Sequence, residues 1–185
     1  MCTLDADTLI EKFEVEIVAG YTADASNYYD LSLQIAPAQI SAVSTTADTL
    51  TLTAHGLSTG DSVQFTNSGG GLPTGLSAGV TYYAVAVDAN TFKVSDTLAH
   101  ALAGTNIVDI TGAGTGTQFV SKVLAMYSLV TGGNGSLTAL AFASATLQSN
   151  PIGPLGAQLN VVLTKFGSAA NVSANSVFNA HGHLL

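Results

Sequence analysis

The sequence predicts an all-β protein: a host β-sandwich or barrel domain interrupted by an inserted small β-barrel. Three observations lead there. Period-two alternation of apolar and polar residues marks strands near both ends of the chain, as in Lys12–Val18 (KFEVEIV) and Gln158–Lys165 (QLNVVLTK). Between residues 40 and 121 short strand-like runs recur roughly every 8–12 residues, separated by Gly-rich turn clusters. The texture changes near Ile40 and changes back after Phe119, which divides the chain into 1–39 with 122–185 and an inner 40–121. Insertions of this kind succeed where the two ends lie close together on a surface.

The elements follow in order. Thr3–Glu11 reads as a short helix capped by Thr3 or Asp5, or as an arm. Lys12–Val18 places Phe13, Val15 and Ile17 on one face and Glu14 and Glu16 on the other. Gly20–Asp30 is a polar loop with tyrosines, and Leu31–Ile35 alternates again until Ala36-Pro37 breaks it. Inside the insert, strands are expected at Ile40–Val43, Thr49–Ala54, Ser62–Thr66, Thr81–Asp88, Thr91–Ser95 and Ile107–Thr111. Asp88-Ala89-Asn90 joins two of them as a hairpin. Leu72-Pro73-Thr74-Gly75 reads as a Pro-initiated type II turn, with Phe65 and Phe92 in the core. Beyond it, Val123–Val130 and Gln158–Lys165 read as strands and Leu137–Leu147 as strand or short helix. The stretch from Gly167 to Leu185 is small and polar.

Composition excludes several functions. Charged residues are 9% of the chain, against roughly 25% in an average domain. All 4 basic residues are lysines and the net charge is -8, so no basic stripe exists for a nucleic acid. No apolar run approaches the roughly 18 residues of a membrane span, and no membrane partner is expected. Met1–Ile10 carries Asp5 and Asp7 without a basic region, unlike a secretory signal. Cys2 alone closes no intrachain disulfide. So apolar a chain with so few charges implies a neutral Ser/Thr/Gly surface, burial against other chains, or both.

Within the insert, an ordered set of short motifs stands out. It runs His55-Gly56-Leu57, Thr59-Gly60-Asp61, Val63 and Phe65, Leu72-Pro73-Thr74-Gly75-Leu76, Thr81-Tyr82-Tyr83, Asn90-Thr91-Phe92-Lys93 and Gly114-Thr115-Gly116. With these motifs, residues 40–121 resemble the FCCH-like module of bacteriophage structural proteins, named after a half-domain of ubiquitin-activating enzymes. The resemblance implies a small β-barrel used as an add-on in tail, fibre and capsid-surface proteins, and no ubiquitin chemistry.

The resemblance, the low charge and the β patterning lead to an expected function. The chain is expected to be a non-enzymatic virion protein, a capsid decoration (cement) protein at the capsid surface. The major capsid protein is its expected partner, and a homo-oligomer, a trimer first, its expected assembly. A tail-tube, tail-tip or fibre component is the alternative, and a carbohydrate-binding adhesion module contacting a host-surface glycan a further one. No cofactor, catalytic residue or metal ligand is expected.

Several side chains merit a site reading beside a structural one. His55, Ser58, Asp61 and Ser62 cluster across a turn, but nothing in the spacing orients a base toward a serine, so His55 reads as a turn residue. Glu14 and Glu16, with Glu11 nearby, form a solvated strand face or an intersubunit contact. Tyr21, Tyr28 and Tyr29 in a Ser/Asn/Asp loop suit protein or sugar contact, unless the loop tucks onto its own sheet. Asn67, Ser68, Gly69 and Gly70 are candidates for an exposed tip of the insert. Gly112–Gly116 lacks the lysine of a phosphate loop. Alternate residues of a strand share a face, so His181-x-His183 offers two metal ligands of the four a structural zinc wants, which three chains on a symmetry axis can pool; the structural reading is a disordered tail.

Overall fold

The computed structural model describes residues 2–3, 8–16, 26, 29–129, 158–165 and 177–184. Among these the fold is all-β, antiparallel sheet with a single short helix. The chain divides into two compact units, residues 1–35 with 124–185 and residues 36–123. Sequence texture puts the junctions at 39/40 and 121/122. Residues 38–39 and 122 fall in the inner unit because their backbones pair within its sheet.

The inner unit is built from β4 (Ala38–Gln39), β5 (Ala42–Ser44), β6 (Thr49–Thr51), β7 (Ser62–Ser68), β8 (Tyr82–Ala86), β9 (Thr91–Ser95) and the first part of β10 (Thr117–Leu129). Its strand order is β4-β10-β7-β8-β9-β6-β5, every pair antiparallel. The strand that enters the unit, β4, lies beside the strand that leaves it: Ala38 is opposite Val120 and Gln39 opposite Phe119. Neighbouring strands are about 4.8 Å apart, so entry and exit are adjacent.

Register explains the core. Val120 faces Phe65, Val63 faces Tyr82, Ala84 faces Val94, and Phe92 lies opposite both Ala86 and Leu50. Apolar side chains on one face of consecutive strands meet in one cluster, which Ile40, Leu76 and Ile110 complete. Phe65 and Phe92 are fully buried, as the sequence predicts. Phe65 meets Tyr82 edge to face, with ring centroids 5.8 Å apart. The Tyr82 hydroxyl accepts from Ser77 N–H at 3.0 Å, which satisfies the polar end of a buried ring.

The turns are fixed by short polar side chains. Asp88 Oδ1 accepts from Asn90 N–H (2.7 Å) and Thr91 N–H (2.8 Å), which closes the β8–β9 hairpin. Leu76 N–H donates to Pro73 O at 3.0 Å, with Gly75 third in that turn at φ +107°. Gly75 is required twice over, because a Cβ there would also lie 2.3 Å from Asp109 O.

Ile107–Thr111 departs from expectation. It forms no strand, only a bridge from Ile107 to Ser95, because Ile110 N–H donates to the Asp48 carboxylate (2.9 Å) rather than to a ladder. The helix α1 (Leu98–Ala103) is a second departure. Thr97 caps its start by accepting from His100 N–H, and Gly104 ends it in the left-handed region.

An ion pair braces this unit. Lys122 Nζ lies 2.8 Å from Asp61 Oδ2, with side chains only 11% and 9% exposed. The same carboxylate oxygen accepts from Ser58 N–H at 2.8 Å. Gly60 N–H donates to Ala84 O, and Ala84 N–H donates to Asp61 O. Loop 58–61 is thus tied at once to β8 and to the strand that leaves the unit.

In the other unit, β3 (Tyr29–Ile35) pairs with β11 (Gln158–Lys165), from Ile35 opposite Leu159 to Tyr29 opposite Lys165. The short β1 (Cys2–Thr3) lies along the other edge of β11. Leu33 is buried, and so are Asp30, Ser32 and Gln34, so both faces of β3 are covered. Gln34 Nε2 donates to Ser32 Oγ at 2.7 Å, the partner that buried amides require.

The strands β2 (Thr8–Glu16) and β12 (Val177–Leu184) form a separate antiparallel ribbon. Three expectations change here. The first long strand begins at Thr8, and of the helix-or-arm reading of Thr3–Glu11 the helix does not form at Thr3 or Thr8–Ile10, where backbone groups pair with β11 and β12 instead. The polar stretch before Leu185 contains a strand, β12, which its small residues conceal. Tyr29 belongs to β3 rather than to a loop. Residues 137–147 lie outside the described residues.

The ion pair yields a direct expectation. Lys122→Met takes the opposite charge away from the nearly buried Asp61 carboxylate and should cost up to about 3–5 kcal/mol in urea unfolding. Adding Asp61→Asn removes the uncompensated charge and should recover part of that loss.

Candidate functional site

Three polar constellations of the inner unit are candidates for chemistry. The first is the turn holding His55, Ser58, Asp61 and Ser62. His55 Nδ1 accepts from Leu57 N–H at 2.9 Å, and Nε2 lies 2.8 Å from Asp88 O and 3.3 Å from Thr91 O. Carbonyl oxygens only accept, so the ring carries its proton on Nε2 and its lone pair is already used at Nδ1. Its edge-to-face contact with Phe92, centroids 5.3 Å apart, fixes the imidazole further. Asp61 turns to Lys122 and Ser58 N–H, as described above. The imidazole and the carboxylate therefore serve two separate turns, and no relay from Asp61 through His55 to a serine is assembled.

The second constellation has no counterpart in the sequence reading. His100 Nδ1 lies 2.5 Å from Asp96 Oδ1, across the start of α1. Asn106, at φ +45°, brings its Nδ2 within 3.2 Å of the same ring nitrogen. The signal that could have found it is the helix itself. Thr97 before Leu-Ala-His-Ala-Leu-Ala and Gly104 after it are start and stop signals, and they put Asp96 and His100 one turn apart. The pair is exposed at 38% and 56%, which fits a surface brace on the helix better than a water-excluding active site.

The third is the expected tip. Ser68, Gly69 and Gly70 are exposed, whereas Asn67 is half-buried and points its amide inward. Asn67 Nδ2 donates to Thr115 O (2.7 Å) and Gly71 O (3.3 Å). Gln118 Nε2 donates to the same two carbonyls, at 2.8 and 3.0 Å. Gly71 N–H donates to Thr115 Oγ1. A Cβ on Gly70 would lie 2.3 Å from Thr115 O, so the two loops approach too closely for any side chain there. Residues 68–70 and 113–116 form a glycine-rich exposed end held rigidly from beneath.

Apolar surface completes the inventory of this unit. Val80, Val87, Leu98 and Leu102 are exposed, with Leu98 and Leu102 both seated over Gly60. In the other unit, Glu14 lies opposite Asn179 and Glu16 opposite Val177. Tyr29 lies opposite Lys165 on β3, while Tyr21 and Tyr28 lie outside the described residues. Among the described residues no group of three or more His, Cys, Asp or Glu side chains gathers as a metal site, and no helix is long and apolar enough to cross a membrane.

Two exposed aspartates give the pH dependence. The Thr91 hydroxyl and then the Asn90 amide hold the Asp88 carboxyl below its ordinary value of 3.8. The hydrogen bond from His100 does the same for Asp96. A carboxyl depressed in the folded state stabilises the fold above its unfolded value, and the contribution is lost as pH falls through the folded value. Both contributions are therefore complete at neutral pH and disappear in acid. Asp88→Ala should lower the thermal midpoint at neutral pH, and the gap to the parent should close in acid as melts are repeated below the ordinary carboxylate value.

Compared with family models, curated proteins and solved structures, the chain finds no match.

Proposed function

We propose that the chain is a non-enzymatic structural protein of a bacteriophage virion, a capsid decoration protein that cements neighbouring capsid subunits. The observation that carries this reading is the use made of the residues behind the resemblance. His55, Asp61, Gly75, Tyr82 and Phe92 serve turns, a brace and the core. A module whose distinctive residues all go into architecture suits display or spacing better than turnover. Adjacent entry and exit strands support its role as an insert that a host domain can carry without rearrangement.

In this reading the segments 1–39 and 122–185 hold the shell and the small barrel of residues 40–121 projects from it. The major capsid protein is the partner, and copies of the chain close into a ring, a trimer first. Binding energy comes from apolar side chains that the inner unit leaves exposed, Leu98 and Leu102 among them, and from strand addition at a sheet edge. The strand β5 ends the described ladder of the inner unit and is one such edge. A surface with so few charges is compatible with contact over a large neutral area.

Immunogold electron microscopy on intact particles of the phage that encodes the chain tests the proposal. Gold over the heads is the expected result. Gold confined to tails would replace decoration with a tail-tube, tail-tip or fibre role, and particles without gold would overturn the virion-surface reading.

A further inference from the structure

Asp96 stands just before α1, His100 within it and Asn106 just after it, and their geometry fixes where the imidazole carries its proton. His100 Nδ1 lies 2.5 Å from Asp96 Oδ1. A carboxylate only accepts, so the neutral ring is protonated on Nδ1. Nε2 then holds a lone pair, and Asn106 Nδ2, 3.4 Å away, is the donor that faces it. The same Nδ2 lies 3.2 Å from Nδ1, a contact between two donors that adds no bond. His55 is the opposite tautomer, with its proton on Nε2.

A neutral His100 keeps both partners, and a charged one does not. Once the ring takes a second proton, both nitrogens donate. Asp96 suits a cation, but the Asn106 NH2 then sets one donor against another. The amide carries an acceptor oxygen at its other end, and a half-turn of the side chain presents it. Asn106 is exposed, so water covers whichever end faces outward. The backbone around it is tied down: Thr105 N–H donates to His100 O, Ser95 Oγ donates to Thr105 O, and Ile107 bridges to Ser95. We propose that the cluster is a proton-operated rotor, in which proton uptake at His100 Nε2 turns the Asn106 amide from donor to acceptor while the Asp96 link and the backbone stay in place.

The proton changes the surface beside Leu98 and Leu102, which lie on the same short helix. The Asp96–His100 couple carries one negative charge with a neutral ring and none with a charged one, and Asn106 exchanges the group it shows to water. The elements packed against α1 are β8 and β9, with Gly60 beneath Leu98 and Leu102. Their ionisable residues, with those of the 58–61 loop, are Tyr82, Tyr83, Lys93 and Asp61. Tyr82 lies in the core and Asp61 is paired with Lys122. Phenols and ammonium groups as classes titrate near about pH 10, far from the window of about pH 5–8 in which an imidazole changes charge.

The test is nuclear magnetic resonance of the full chain across that window. At its alkaline end the imidazole nitrogen shifts should place the proton on Nδ1 in His100 and on Nε2 in His55. As pH falls, the Asn106 side-chain NH2 resonances should move with the same midpoint as the His100 ring resonances. The cross-relaxation between the Asn106 NH2 and the His100 ring proton on Cε1 should fade over the same interval. His100→Gln should abolish the movement of the Asn106 resonances, and an unchanged His55 tautomer in that variant shows that the unit is folded. A proton on Nε2 of neutral His100, Asn106 resonances that stay still while His100 titrates, cross-relaxation that persists in acid, or movement that survives His100→Gln would overturn the rotor.

Discussion

The Asp61 carboxylate and the Lys122 ammonium meet at 2.8 Å with little solvent on either. Asp61 sits in the loop before β7, and Lys122 sits on β10 opposite Val63. An ion pair in such a place is costly to form and costlier to break, because removing either partner leaves the other's charge poorly solvated. It therefore acts mainly as a constraint. It fits the register in which β10 lies along β7, which puts Val120 against Phe65 and Phe119 against Thr66. The core of the inner unit follows that alignment, and its adjacent entry and exit come from the pairing of β4 with β10.

Much of this was legible from residue type and spacing. Strong alternation in KFEVEIV, LSLQI and QLNVVLTK falls on β2, as far as Glu16, and on β3 and β11. Asp88-Ala89-Asn90 announces its hairpin because an aspartate can bond the amides two and three residues on. What stayed hidden has physical reasons. The strand β12 has the sequence Val-Phe-Asn-Ala-His-Gly-His-Leu, whose small and polar residues carry no clear period, and it is a strand because β2 offers it a partner. Ile107–Thr111 has strand-like composition, but Asp48 captures the Ile110 amide from far away in sequence. The helix α1 is shorter than two full turns, so its caps were its only signal.

The candidate site was legible in a different sense. Sequence spacing brings His55 and Asp61 near one another, but only coordinates show that each is taken by a separate turn. The tip was readable as a run of glycines. The amides of Asn67 and Gln118 that stiffen it come from neighbouring strands, and no local pattern reveals that they converge on the same two carbonyls. The same logic separates architecture from chemistry across the inner unit. Its polar side chains mostly bond backbone groups, some within their own turn and some in segments far away in sequence, which is how a small domain with few charges holds irregular loops in place. The proposed virion role rests on that economy, with display and contact left to the exposed glycine-rich end, the sheet edge and the apolar side chains around α1.

The central claim is that residues 36–123 form a self-contained structural unit, braced by Asp61 and Lys122 and carried by a host domain. The most direct measurement is the amide proton–nitrogen correlation spectrum and thermal melt of residues 36–123 expressed alone. A well-dispersed spectrum and a single cooperative transition are predicted, with the Lys122 and Asp61 amides in structured positions. A collapsed spectrum without a cooperative melt would contradict the account, because the inner sheet would then depend on the flanking segments for its fold.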